Sequence, residues 1–376
     1  MALTLPSGAF LSPRSCRRAL AALALIGVAL LPAQAETRSE AETRPVDTEA
    51  VAARVAPAVG LYELVFSPSQ EAIYLAAANG FRNEAGGTIY RLDPETLAIQ
   101  DQIELEQKAF GLTLNETTHT LYVGHALDQS ITAIDLESGE QRYLSLVSDE
   151  EKARAEEADL YGPNPRQLSV DESTDTLYVT GVATHSVLWI INGEDLSLEG
   201  TVEGLGEWTT GLALDPDAGL VYVTTIKDNA VRVIDMESQK VLSRWPSHGD
   251  WPTNLALDSE GDRLYVTHQK TADVTVLDTA NGEVVDTLES GEGALDLLLA
   301  GSNLWVTNRD AHTVLRFDRE SHDRLDTIAT DLMPNSLLAI PGEAGVYTSL
   351  KQALDDDLKA PGPDAVVRLV PEGLER

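Results

Sequence analysis

The sequence has one cysteine and few basic residues, and each shortage limits what the protein can be. Cys16 stands before the longest apolar run, residues 19–31, which we expect to be removed with an export signal. The mature chain would then have no thiol for a disulfide, a thiolate metal site or a cysteine nucleophile. Lysine and arginine number 27 against 61 acidic residues, a formal net charge of −34. This charge opposes association with nucleic-acid phosphates or anionic lipid.

Long apolar runs are also missing. Residues 19–31 are too few to cross a bilayer as a helix, which favours a removable signal over an anchor. Arg14, Arg17 and Arg18 precede the run, and Ala-Gln-Ala at 33–35 matches a cleavage site. We therefore predict export to the periplasm with cleavage after Ala35, by either the Sec or the twin-arginine route. The polar residues 36–49 are predicted to form a flexible tether.

A repeat fills the rest of the chain. The pattern apolar, aromatic, apolar, small occurs seven times, at intervals of 40 to 56 residues. The aromatic members are Tyr74, Tyr122, Tyr178, Tyr222, Tyr265, Trp305 and Tyr347. An apolar strand precedes each copy, and a β-branched strand and a more polar strand follow it. Four strands per repeat predict an all-β fold over residues 50–376, a seven-bladed β-propeller with four antiparallel strands per blade.

The last repeat indicates how the ring closes. Its first three strands are predicted at 336–340, 346–350 and 365–370, after which too few residues remain for a fourth. Residues 50–55 form a spare strand before the first blade, so we expect this N-terminal strand to complete the seventh. Two longer loops stand out, a charged segment with helical periodicity at 149–160 and the loop at 351–364.

The repeat carries a family resemblance. Tyr178, Tyr222 and Tyr265 each begin a Tyr-Val-Thr triplet, and residues 305–308 read Trp-Val-Thr-Asn. With residues 87–94 and 209–215, these stretches make the chain similar to the YVTN-repeat propellers, and among them to the YncE-like bacterial periplasmic proteins. The resemblance covers nearly the whole mature chain. It implies seven blades, a periplasmic location and a tendency to bind nucleic acid, but no catalytic residue.

Motifs of known chemistry are absent from the sequence. It has no nucleophile elbow, zinc-binding helix, P-loop or dinucleotide glycine fingerprint. His125, His185, His268 and His312 fall in equivalent loops of non-adjacent blades, and a ring keeps such residues too far apart to share a metal. We therefore predict no metal and no cofactor, and we favour a binding protein over an enzyme.

Ligand sites in propellers usually occupy the mouth of the channel on the loop-rich face. The loops on that face carry Phe110, Arg166, Trp208, Trp251 and Asn335 at the entrances of inner strands, and Lys227, Lys270 and Arg309 between second and third strands. We predict that these residues bind a small anionic or planar ligand or a protein segment. Trp208 and Trp251 share one repeat position, where they could stack a planar group or pack as core.

Alternatives remain open at this point. The same face could bind single-stranded nucleic acid, although the net charge disfavours it. A lactonase-like or cofactor-dependent enzyme could instead use Asp296, Arg166 or a histidine as acid or base. No membrane partner is expected, and we expect a monomer.

Overall fold

The computed structural model describes residues 48–81 and 86–374. The predicted signal peptide and nearly all of the predicted tether lie outside these residues. The described chain forms seven four-stranded antiparallel sheets. The all-β prediction, with seven blades of four strands, is confirmed. Within the described residues, no helix is both long and apolar enough to cross a membrane.

The strands follow the chain order blade by blade, from the channel outwards. Blade 1 has β2 (Leu61–Ser67), β3 (Ala72–Ala77), β4 (Thr88–Leu92) and β5 (Ile99–Glu104); blade 2 has β6 (Gly111–Asn115), β7 (Thr120–His125), β8 (Ser130–Asp135) and β9 (Gln141–Ser145); blade 3 has β10 (Asn164–Asp171), β11 (Thr176–Val182), β12 (Val187–Asn192) and β13 (Leu198–Val202). Blade 4 has β14 (Thr209–Asp215), β15 (Leu220–Thr225), β16 (Ala230–Asp235) and β17 (Lys240–Pro246); blade 5 has β18 (Pro252–Asp258), β19 (Arg263–His268), β20 (Asp273–Asp278) and β21 (Val284–Glu289). Blade 6 has β22 (Ala294–Ala300), β23 (Asn303–Asn308), β24 (Thr313–Asp318) and β25 (Arg324–Ala329); blade 7 has β26 (Met333–Leu338), β27 (Val346–Lys351), β28 (Ala365–Leu369) and β1 (Val51–Val55).

The second strand of each blade carries the repeated aromatic and forms the core. In β3, β7 and β27 every residue is buried, because neighbouring blades cover both faces of the sheet. The outer strands are different: β5 is exposed at five of its six positions. Hydrophobic burial therefore lies between the blades, and this is why the second strands are buried on both faces instead of alternating between buried and exposed positions.

Most inner strands are bulged at the same place. The pairing register between first and second strands slips between Leu61 and Leu64 in blade 1, between Pro165 and Leu168 in blade 3, and at equivalent points in blades 4 to 7. β6 pairs with β7 without such a slip. A bulge bends its strand and re-aims the side chains beside it. The residue just before the leucine that ends each slip, such as Leu64 in blade 1 or Leu168 in blade 3, is therefore directed away from the regular ladder.

The threonine of the Tyr-Val-Thr triplet holds these bulges in place. Thr267 Oγ1 accepts a hydrogen bond from the Asn254 backbone N–H of its own blade, at 3.1 Å. It donates to the Leu295 carbonyl of the next blade, at 2.8 Å. The same two bonds recur at the equivalent threonines of three other blades, Thr180, Thr224 and Thr307. A fully buried hydroxyl thus links each of these blades to the next, and polar bulge groups are satisfied without water.

The predicted closure is confirmed. β1 pairs antiparallel with β28, and Val51 and Val55 lie opposite Leu369 and Val366. Arg54 of β1 also forms a bidentate ion pair with Asp331, with both N···O distances at 2.9 Å. The predicted boundary of β26 was wrong, because the strand begins at Met333, three residues before the predicted start. The error has a physical cause: the bulge interrupts the apolar pattern from which the start was predicted.

The two longer loops have defined structures. The predicted helical segment is α1 (Asp149–Glu157), whose start is closed by a capping box between Ser148 and Glu151. The loop at 351–364 is anchored at both ends by a buried ion pair between Lys351 and Asp364, at 2.9 Å. Asp364 also accepts hydrogen bonds from the backbone of Gly60 and Leu61, so it joins blade 7 to blade 1.

Candidate functional site

Four of the predicted ligand-binding residues form one cluster, which we call the indole–lysine site. The rings of Trp208 and Trp251 are 6.4 Å apart between centroids and inclined at 74°, an edge-to-face pair. Lys227 Nζ lies 3.8 Å from the centroid of the Trp208 ring, and Lys270 Nζ lies 4.1 Å from that of Trp251. Each ammonium group is within the distance at which a cation is attracted to an indole face.

The backbone builds this unit twice, in blades 4 and 5. Both tryptophans have a left-handed backbone, with φ of 65° and 63°, which is uncommon for a bulky residue. The Trp208 carbonyl accepts a hydrogen bond from Ile226 N–H at 3.0 Å, and the Trp251 carbonyl accepts the equivalent bond from Gln269 N–H at 3.1 Å. The residue after each donor is the lysine. One repeated hydrogen bond therefore sets a lysine beside each indole.

The indoles are neither fully core nor fully surface. They pack on the buried side chains of Val182 and Ile226, together with Tyr161. Tyr161 comes from the segment that follows α1, so the insertion between blades 2 and 3 contributes to this cluster, and burial raises the pKa of its hydroxyl. Both indoles are half-buried and both lysines are exposed. The same rings therefore serve packing on one side and present an aromatic surface on the other.

A second group lies in the central channel. The seven inner strands contact one another in a closed ring and enclose a cavity of about 200 Å³. In every inner strand one leucine is preceded by a polar residue or glycine. These pairs are Glu63-Leu64, Gly111-Leu112, Gln167-Leu168, Gly211-Leu212, Asn254-Leu255, Asp296-Leu297 and Ser336-Leu337. The polar members of the pairs line the cavity.

We use the name channel site for Glu63, Arg166, Gln167, Asn254 and Asp296. Arg166 Nη1 donates to Glu63 Oε1 at 3.0 Å, an ion pair between blades 3 and 1 in which both side chains are largely buried. Asn254 Nδ2 donates to Asp296 Oδ1 at 3.1 Å, between blades 5 and 6. The other Asp296 oxygen accepts from Leu337 N–H at 2.7 Å. The bulges thus bring five charged or amide side chains from four blades around one cavity.

Three polar atoms of the channel site have no hydrogen-bond partner among the described residues. They are Arg166 Nε, Gln167 Oε1 and Asn254 Oδ1, and the Asn254 residue is only 6% exposed. Buried polar groups are normally paired, so each unpaired one requires an explanation. Burial also raises the pKa of Asp296 from 3.8 to about 7, an effect to which nearby Glu63 adds and which Arg166 opposes.

The remaining predicted residues lie apart from the indole–lysine site. Arg309 is buried and donates to Asn335 Oδ1 at 2.9 Å, and Asn335 lines the channel cavity. Arg309 directly follows β23 and corresponds to Gln269, one position before Lys270, so it is not the equivalent of that lysine. Phe110 is buried in an aromatic cluster, 4.8 Å from Tyr62 between ring centroids.

Sequence reasoning missed Glu63, Gln167 and Asn254 as members of a site. The signal was present as a polar residue or glycine before a leucine at one position of every repeat. The residue type at that position differs in most blades, so it does not read as a motif. Only the bulge, which the sequence does not display, shows that these residues meet.

The histidines do not come together. His125 is buried and contacts the Lys108 carbonyl at 3.0 Å and Thr132 Oγ1 at 2.8 Å, and burial lowers its pKa to about 4. His268 is buried beside Asp273, and His185 is exposed. In the part of the chain that the structure describes, no three histidine, cysteine or acidic side chains are grouped so as to hold a metal.

Comparison with known proteins places the chain among named relatives, although no family model matches it. A YncE protein from Salmonella typhimurium is 35% identical over 321 residues, covering 84% of this chain and 90% of that protein. A YncE protein from Escherichia coli is 38% identical over 191 residues, covering 51% of this chain and 53% of that protein. Their names state no ligand and no reaction. The chain belongs to the YncE family.

Proposed function

We propose that this propeller is an exported binding protein without a reaction of its own, and that its loop-rich face takes a planar anionic group of a small ligand or protein segment at the indole–lysine site. The observation that carries the proposal is the paired unit of Trp208 with Lys227 and Trp251 with Lys270. Aromatic and cationic groups that repeat side by side on a rigid scaffold suit a ligand that is both flat and negatively charged.

The chemistry of recognition follows from the contacts of the free site. Each lysine ammonium rests on an indole face and is exposed, so it can turn towards an anion at little cost. The ring face that it leaves can then stack on a planar group, which is worth about 1–3 kcal/mol per ring. The anionic group of the ligand would replace the indole as the partner of the lysine, and its planar group would replace the lysine on the ring face. A ligand that has both groups is therefore favoured over one that has only a charge or only a ring.

The negative charge of the whole protein limits the partner to one whose own negative charge is confined to a small region. With a net charge of −34, the protein repels an extended polyanion along its whole length. Repulsion of a compact anion is screened beyond about 8 Å at physiological salt, so two lysines can dominate at short range. A small anionic ligand or a short acidic segment therefore fits better than single-stranded nucleic acid.

Tryptophan fluorescence tests the proposal with phenyl phosphate as the probe. We expect saturable binding that is weaker for cyclohexyl phosphate, which is not planar, and for benzyl alcohol, which is not charged. Trp208→Ala or Trp251→Ala should weaken binding about 5- to 150-fold, the equivalent of about 1–3 kcal/mol. The matched control is Trp245→Ala, since Trp245 is also half-buried but packs on Tyr222 at an outer strand.

Three results would contradict the proposal. One is equal loss of binding in the Trp245 control, and another is unfolding of both site variants, which would make the indoles core. The third is tight binding of a single-stranded oligonucleotide with no response to phenyl phosphate, which would favour the nucleic-acid alternative. Export is tested separately: the protein recovered from periplasm should begin at Glu36, whereas an unprocessed cytoplasmic chain would refute it.

A further inference from the structure

The channel cavity offers a site that is chemically unlike the indole–lysine site and shares no lining residue with it. Its volume is about 200 Å³. An engineered cavity of about 150 Å³ holds benzene, so this one has room for a molecule of roughly eight non-hydrogen atoms. The question is which chemistry its wall would accept.

Hydrogen-bond acceptors dominate that wall. Glu63, Gln167, Asn254 and Asp296 all direct carboxylate or amide groups to the channel site. The guanidinium of Arg166 is its cation, and that group is already paired with Glu63 at 3.0 Å. The charge of Asp296 is therefore left without a partner of opposite sign in direct contact, and two amide oxygens are left without donors.

We propose that the channel site binds a small organic cation through a primary ammonium group, with Asp296 as its counterion and the amide oxygens of Asn254 and Gln167 as further acceptors. A primary ammonium has three N–H donors and no acceptor, which matches a wall with two unpaired amide oxygens beside a carboxylate. The Asn254 oxygen is the independent observation, because the residue is 6% exposed and its oxygen has no partner in the described residues.

The electrostatics of the channel agree with this ligand. Burial holds the pKa of Asp296 at about 7, which means that ionising it costs free energy in the free protein. The charged groups that act on Asp296 are Glu63 from blade 1 and Arg166 from blade 3, with opposite effects, and burial raises the pKa of Glu63 as well. A bound ammonium would supply the missing positive charge. The net charge of −34 would also concentrate cations around the protein.

Isothermal titration calorimetry with ethanolamine tests the proposal. Choline carries the same charge without N–H donors, and ethylene glycol has a similar size without the charge, so both should bind at least tenfold more weakly. Since Asp296 must be ionised, ethanolamine should bind about tenfold more weakly at pH 6 than at pH 8, as expected for a pKa of about 7. Asp296→Asn should abolish binding, whereas the matched surface variant Asp217→Asn should leave it unchanged.

A second variant keeps the test decisive if Asp296→Asn fails to fold. Gln167→Leu removes one acceptor and leaves the carboxylate, so it should weaken binding several-fold. Unchanged affinity for ethanolamine in Gln167→Leu would overturn the proposal, as would no heat with ethanolamine at pH 8. Binding of choline as tight as that of ethanolamine would also overturn it, and so would potassium or calcium ions that compete for the site as well as ethanolamine does. Trp208→Ala should not affect this binding, so failure here and failure of the indole–lysine proposal are distinguishable.

Discussion

Replacing Asp296 with asparagine should make the protein more stable above pH 7 and change its stability little near pH 4. In the folded protein the pKa of Asp296 is raised from 3.8 to about 7, mainly by burial. The folded state therefore holds this proton more tightly than the unfolded state does. Stability falls as the pH rises from about 4 to about 7, because folding then requires either a bound proton or a buried charge.

The size of the effect follows from the same values. Each pKa unit corresponds to about 1.4 kcal/mol, so a rise of about 3 units gives at most about 4 kcal/mol. Asp296 keeps some surface towards the cavity, where water would screen its charge, and about 2 kcal/mol is the more realistic figure. The destabilisation is absent below pH 4, grows through pH 5 and 6, and is complete above pH 7.

Asparagine can keep both hydrogen bonds of the carboxylate. Its oxygen can accept from Leu337 N–H, as Asp296 does now at 2.7 Å. Its amide would face the amide of Asn254, but a turn of the Asn254 side chain by 180° brings the unpaired Oδ1 into position to accept. The variant thus removes the buried charge and keeps a hydrogen bond between the side chains at 254 and 296, with its direction reversed.

Urea denaturation followed by circular dichroism measures the difference between the two proteins at several pH values. The difference is the useful quantity, because a group that does not act on Asp296, such as His125, titrates alike in both proteins and cancels. Asp296→Asn should gain about 2 kcal/mol between pH 4.5 and pH 8 relative to the unchanged protein. A variant that is less stable at pH 8, or a difference that does not vary with pH, would refute the reasoning.

Two further predictions concern the ring. Deleting residues 36–56 should lower thermal stability because it removes β1, while deleting residues 36–49 should have little effect; equal stability of the two truncations would contradict closure by β1. Thr267→Val should cost about 2–4 kcal/mol by leaving one bulge N–H and one carbonyl unpaired. The matched control is Thr275→Val, which removes a buried hydroxyl that has no partner in the described residues. Urea denaturation should show almost no loss of stability in this control. Equal losses in the two variants would argue against the role of the triplet threonines.

The fold could be predicted because the sequence pattern that specifies one blade occurs seven times. A buried aromatic such as Tyr222, an apolar second strand and a polar outer strand recur at nearly constant spacing, so an error in one repeat does not mislead the whole. Boundaries were harder. The start of β26 was misplaced because a bulge lets polar residues, including Asn335, sit inside a strand.

The sites could be predicted only in part. Trp208 and Trp251 were identified by their shared repeat position, and the structure brings them together with Lys227 and Lys270. Arg309 was aligned with those lysines, but it lies one position earlier in the repeat and is buried against Asn335. Contacts between blades that are distant in sequence, as at the channel site, depend on the three-dimensional ring, which a repeat pattern specifies only in outline.

Closure by β1 has a consequence for how the molecule is made. Each of the first six blades uses strands that are consecutive in the chain, so its contacts are local and can form early. The seventh cannot be completed until Leu369 is available to meet Val51, at opposite ends of the described chain. Until then two strand edges stay unpaired, and such edges invite pairing with other chains. The step that seals the ring is therefore also the one of highest contact order, and refolding should end in a slow phase that depends on β1.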